Sequence, residues 1–212
     1  MATSKFQKRF LLFTIGQLLL VLGTFTIASN FKVLPSWLSL FVVFTLFGLI
    51  LMYIAFITFY KINRNFLRAF IAFVIYLIIV VFADACAKSK EDFYLIWSRG
   101  LEISANFVLC ASYVYFFFGT HDFFHETNQT LGKKKTYACA ITIIVLFVIQ
   151  QIMSFIASLS VTKQNIVFYS VCRFGSWGLS IIIDIFIFIA LITAYIIMKK
   201  KNKEESNNEE TK

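Results

Sequence analysis

Proline is almost missing from this chain: one residue, Pro35, in 212. A proline inside a helix deletes a backbone hydrogen bond and clashes with the preceding turn, so its scarcity permits long unbroken helices. Glycine is sparse as well, at eight. No discontinuous helix of the kind that builds many transporter sites is legible, and no inverted internal repeat is either. Charge is thin, at 15% Asp, Glu, Lys and Arg, where a soluble domain carries about 25%. The four cysteines, Cys86, Cys110, Cys139 and Cys172, include no C-x-x-C pair, which removes zinc-ribbon and thioredoxin-like readings. There is no G-x-S-x-G elbow and no G-x-x-x-x-G-K phosphate loop. The longest connection expected is about 17 residues, too short for a soluble domain holding a cofactor, so no cofactor is expected, and an intramembrane metalloenzyme built on His121 and His125 is the one enzymatic reading left open.

What is present is grease. Hydrophobic residues make up 59% of the chain, and 27 of them are Phe. A small chain cannot hide that much apolar surface in one water-surrounded core. Six stretches are long enough to cross a bilayer as helices, at 1.5 Å per residue: about 10–28, 37–60, 66–86, 98–119, 137–160 and 177–198. The second is apolar on every side and more than twice the length of a membrane β-strand, which excludes a barrel. The fold class expected is therefore all-α, a polytopic integral membrane protein with a six-helix transmembrane bundle (residues 1–198) and a charged, disordered tail (199–212). The fourth span must carry Arg99 and Glu102 with it; a five-span chain, with this segment on the surface, is the alternative.

Lysine and arginine decide between them. With six spans, one face holds Lys5, Lys8 and Arg9, then Lys61, Arg64 and Arg68, then Lys133–Lys135, then the tail lysines, fourteen of the twenty basic residues. The opposite face holds six. Basic loops stay in the cytoplasm, so both termini are expected inside, in a cell membrane. Removing the fourth span would send Lys133–Lys135 outside. Trp37, Trp97 and Trp177 then all open even-numbered helices at the outer interface, where tryptophan is favoured. The first apolar run is longer than a signal-peptide core and reads as a retained span. The sequon at Asn128 falls on the cytoplasmic side, where it should stay unmodified. The net charge of +9 follows from this topology and leaves no basic face for nucleic acid.

Ionisable groups within spans or at their edges mark candidate sites, since each costs about 2.5–3.5 kcal/mol at the bilayer centre on insertion scales. They are Asp84, Arg99, Glu102, Arg173 and Asp184. Asp184, flanked by isoleucine and phenylalanine, is the strongest. Helical rise from Trp97 and Trp177 puts Glu102 and Asp184 roughly 8–10 Å below the outer interface. Asn106, Gln150 and Gln151 add polar groups in the outer half. Together these residues suggest an outward-opening polar pocket between helices four, five and six for a small solute or ion. The same residue types also serve as interhelical glue, for example as Arg99–Asp184 or Glu102–Arg173 pairs. His121 and His125, one turn apart, could ligate a metal if a third ligand joined; otherwise they lie on a solvated extension of helix four. Cys86 and Cys172 fall near the same outer face, where a bridge is conceivable but free thiols are commoner.

The function expected is binding or passage of a small solute or ion, with membrane lipid as surroundings and another membrane protein or a second copy as partner. The alternative is a non-catalytic accessory, sensor or immunity-type protein that recognises another membrane protein through its helices.

Overall fold

The structure is a computed structural model that describes the backbone of residues 2–29, 42–88, 92–162 and 166–210, and the side chains of 6–24, 42–88, 97–98, 100–157, 170–172 and 174–201. Six helices follow one another: α1 Ala2–Ser29, α2 Val42–Phe59, α3 Arg64–Ala87, α4 Asp92–Glu126, α5 Thr130–Thr162 and α6 Ile166–Glu210. Among the described residues there is no strand. All six helices contain a stretch long and apolar enough to cross a membrane, the fourth included, as Gly100–Glu126. Even-numbered crossing puts both chain ends on one face, called here the terminal face.

Each helix packs on its neighbours in the chain, and α6 closes the circle on α1, with the α2–α3 seam the thinnest. The outward surface is continuous hydrocarbon: Leu46, Phe47, Val81, Phe82, Ile152, Phe155 and Ile196 are each more than half exposed. A soluble monomer rarely shows an apolar patch beyond a few hundred Å², and such a belt is stable only against lipid.

The ring interior near the terminal face is packed with phenylalanine. Phe116 of α4 is its hub, with Phe10, Phe13, Phe56, Phe59, Phe66 and Phe117 at ring-centroid distances between 4.1 and 6.0 Å. The Phe13 ring stacks flat on it, at 4.1 Å and 8°, whereas Phe56 meets it edge-on at 90°. These rings come from α1, α2, α3 and α4, so one side chain joins four helices. Helices in lipid have no hydrophobic drive toward one another and depend on such packing and on close backbone approach. Gly16 and Gly48 supply the latter between α1 and α2: a Cβ on Gly48 would lie 2.7 Å from the Gly16 carbonyl oxygen.

The α3–α4 seam is stitched by side-chain hydrogen bonds along its length. Ser98 donates to the Ala83 carbonyl, Ser112 to the Ala69 carbonyl, and Asn63 to the Gly119 carbonyl. Asn63 also caps α3 by accepting from the Phe66 amide. The turn from α4 to α5 closes on Asn128 at φ 55°. The Gln129 amide bonds the Phe124 carbonyl and the Asn128 amide bonds that of His125, the Schellman pattern that needs a left-handed residue, for which asparagine is the second choice after glycine.

The backbone after Met198 continues α6 as helix to Glu210. Lysine, glutamate and asparagine with no glycine or proline put no breaker in its way. No disulfide joins Cys86 to Cys172, and all four cysteines are free thiols.

Replacing the hub should cost far more than replacing a lipid-facing ring. Phe116→Ala should lower stability by on the order of 2–4 kcal/mol, through the cavity it leaves, and Phe82→Ala by under about 0.5 kcal/mol. Reversible unfolding in mixed micelles measures both.

Candidate functional site

On α1 the buried stripe runs Phe6, Phe10, Phe13, Gln17, Val21, the i, i+3/i+4 spacing of one helix face. Four of these are hydrocarbon. The fifth places a fully buried amide inside the ring. On α4 the corresponding stripe carries Tyr113 beside Phe116 and Phe117, all buried. On α6, Asp184 stands beside buried Ile183 and Ile187 and is itself half-buried.

These three side chains form one chain of hydrogen bonds. The Tyr113 hydroxyl donates to Gln17 Oε1 at 2.5 Å. Gln17 Nε2 donates to Asp184 Oδ1 at 3.3 Å. The two ends of the amide are told apart by their partners, since only an N–H can face the carboxylate. Every donor points toward Asp184, so the bonds polarise one another in the direction that supports negative charge there. Tyr76 of α3, packed against the core, lies within electrostatic reach of both Asp184 and Tyr113.

Depth is set by the spans. Gln17, Tyr76, Tyr113 and Asp184 each fall near the middle of their own apolar stretch, Phe6–Thr24, Arg64–Ala87, Gly100–Glu126 and Ser170–Lys201. The four side chains thus share one level of the bundle, near the middle of the apolar stretches. Toward the terminal face the phenylalanine packing lies directly beneath it. Toward the opposite face the buried described residues include small and polar ones, Ala83, Ala105, Ala157, Gln150 and Gln151, beside Val21 and Phe147. Trp177 marks that rim, its indole N–H directed at the Thr24 carbonyl at 3.5 Å.

The outer amides form a second tier. Gln150 Nε2 bonds Ser180 Oγ at 2.5 Å, one turn outward of Asp184 on α6. Gln150 Oε1 and both polar atoms of Gln151 are buried with no hydrogen-bond partner among the described residues. Each such atom costs about 1–3 kcal/mol when left unmade. Asn106 is half-buried, two turns outward of Tyr113 on the same face of α4.

The remaining sequence candidates do not join this group. Glu102 is exposed, 11 residues or about 16 Å along α4 from Tyr113. It was expected to share the level of Asp184. α4 is 35 residues long and overshoots the shorter α1, so counting inward from Trp97 overstates the depth. Arg99 lies a further turn out, with its backbone about 21 Å from the Tyr113 level. The side chains of Arg99 and Arg173 lie outside the described residues, as does all of Trp37. Asp84 is exposed and pairs with Lys88 at 2.6 Å. His121 is half-buried with Nδ1 3.3 Å from Asp122 Oδ1, Asp122 accepts from Asn65 at 2.7 Å, and His125 is exposed. Among the described residues no three His, Cys, Asp or Glu side chains gather as a metal site.

Gln17, Tyr76 and Tyr113 were not singled out by sequence reasoning. The signal for Gln17 was there, because it is the one amide in the first apolar run.

Truncating this chain of bonds should be felt in stability. Tyr113→Phe should cost about 0.5–1.5 kcal/mol, the range of hydrogen bonds between membrane helices. A double-mutant cycle of Gln17→Leu with Asp184→Leu should return a coupling of similar size in mixed-micelle unfolding. Compared with protein-family models, curated proteins and solved structures, the chain matches none.

Proposed function

We propose that this multi-pass membrane protein binds a small cation at Asp184 and exchanges it with the face opposite the termini. The observation that carries the reading is the pairing of Asp184. Among the described residues its hydrogen-bond partner is Gln17 alone, and no lysine or arginine neutralises it. One amide offsets only part of the cost of a carboxylate at mid-membrane. A cation supplies the remainder, and an intramembrane carboxylate facing a bundle interior is the usual means of holding one.

The path to it is asymmetric. Phenylalanine rings pack on the terminal side, and the amide atoms of Gln150 and Gln151 that lack a hydrogen-bond partner among the described residues lie toward the other. A hydrated cation entering there could exchange water for amide oxygens before reaching Asp184, Gln17 and the tyrosine hydroxyls. Hard cations such as Na⁺ prefer such oxygen ligands. The lysine distribution supports both termini in the cytoplasm of a cell membrane, so the entrance would face outward.

The test is cation-dependent thermal stability of the purified protein, with Na⁺, K⁺ and H⁺ varied separately against an impermeant organic cation. Wild type should be stabilised by one of them in a saturable way, and Asp184→Asn, nearly isosteric, should lose at least about tenfold in apparent affinity while remaining folded. An Asp184→Asn protein with an unchanged cation response would refute the reading.

A further inference from the structure

A cleft of about 340 Å³ lies between α5 and α6 in the half of the molecule near the terminal face. It is separate from the Asp184 site. Its α6 wall runs Phe186, Ala190, Thr193, Ile197, and its α5 wall runs Thr142, Cys139, Thr136, Lys135. From Phe186 to Ile197 is 11 residues, about 16 Å of helix. That is one leaflet of a hydrocarbon core roughly 30 Å thick. Exposed Ala138 and Ile189 also line it, so it opens sideways toward lipid.

Three threonines line the walls, yet the cleft is apolar. Thr136 donates to the Gly132 carbonyl, Thr142 to that of Ala138 and Thr193 to that of Ile189. Each hydroxyl proton is spent on its own helix, and no threonine donor is left for a polar solute. At the mouth the chemistry reverses. Lys135 lines it and is exposed, as is Lys134 beside it. Lys199 and Lys200 are exposed on α6, and Lys200 lies seven residues past Thr193, on the same stripe.

We propose that this cleft holds one acyl chain of an anionic phospholipid whose headgroup is clamped by Lys134, Lys135, Lys199 and Lys200. A slot one leaflet deep, lateral access, Lys135 in its lining and exposed lysines in the next turn of α6 are the shape and charge complement of such a lipid. Neutral lipid would fill the slot but leave the lysine cluster without a counter-charge.

The experiment is native mass spectrometry of the full chain released from nanodiscs of phosphatidylcholine with 30% phosphatidylglycerol. Wild type should retain about one phosphatidylglycerol per chain, at least fivefold over its share of the bilayer. Replacing Lys134, Lys135, Lys199 and Lys200 with Gln, all on the surface, should abolish the preference. Thr193→Trp, filling the slot, should abolish retention of either lipid. Lipid should also protect Cys139 from maleimide, and inorganic phosphate at millimolar concentration should not. Equal retention of the two lipids by wild type would overturn the proposal. So would an undiminished preference in the glutamine variant, or phosphate alone protecting Cys139.

Discussion

A polar side chain in hydrocarbon must find its partners within the protein, and the Gln17 amide does so by tying α1 to α4 and to α6 at once. That one side chain sets the closure of the ring. Apart from its bond to Asp184 and the long Trp177–Thr24 contact at the rim, α1 and α6 meet through apolar surface, which lipid satisfies equally well. With the bond to Asp184, the first and last helices have a reason to meet. The chain can then run α1 to α6 in sequence order around a common axis.

The rest of the interior divides around that level. On one side phenylalanines from four helices interlock about Phe116. On the other, small residues stand beside glutamines whose hydrogen bonds are incomplete among the described residues. Such a division suits a site that exchanges with one face only, in contrast to a pore open at both ends. The α3–α4 seam, bonded at several levels, and the Gly16–Gly48 contact hold the walls in register while the polar tiers keep their geometry.

Much of the architecture was legible in the sequence because it depends on local quantities. Helix number follows from the length of apolar runs. The fourth span was settled by where Lys133–Lys135 must lie, although Arg99 and Glu102 obscured its start. Asp184 stood out because nothing around it is polar. Its partners did not stand out, because Gln17 bonds it across 167 positions and Tyr113 in turn bonds Gln17 across 96, and only the closed ring brings them together. Glu102 was drawn into the same pocket by assuming that all helices begin at one membrane level. α4 breaks that assumption by its length. The lipid cleft was invisible for another reason: threonine reads as polar in a sequence, and only the bonds to carbonyls four residues back turn it into an apolar wall.

The placement of Asp184 beside Gln17 at mid-membrane is the central claim, and proximity tests it most directly. In a cysteine-free background, Gln17→Cys paired with Asp184→Cys should be joined by a short bifunctional thiol reagent in intact membranes, and Gln17→Cys paired with Glu102→Cys should not. Cross-linking of the second pair in preference to the first would contradict the closed ring and the site built on it.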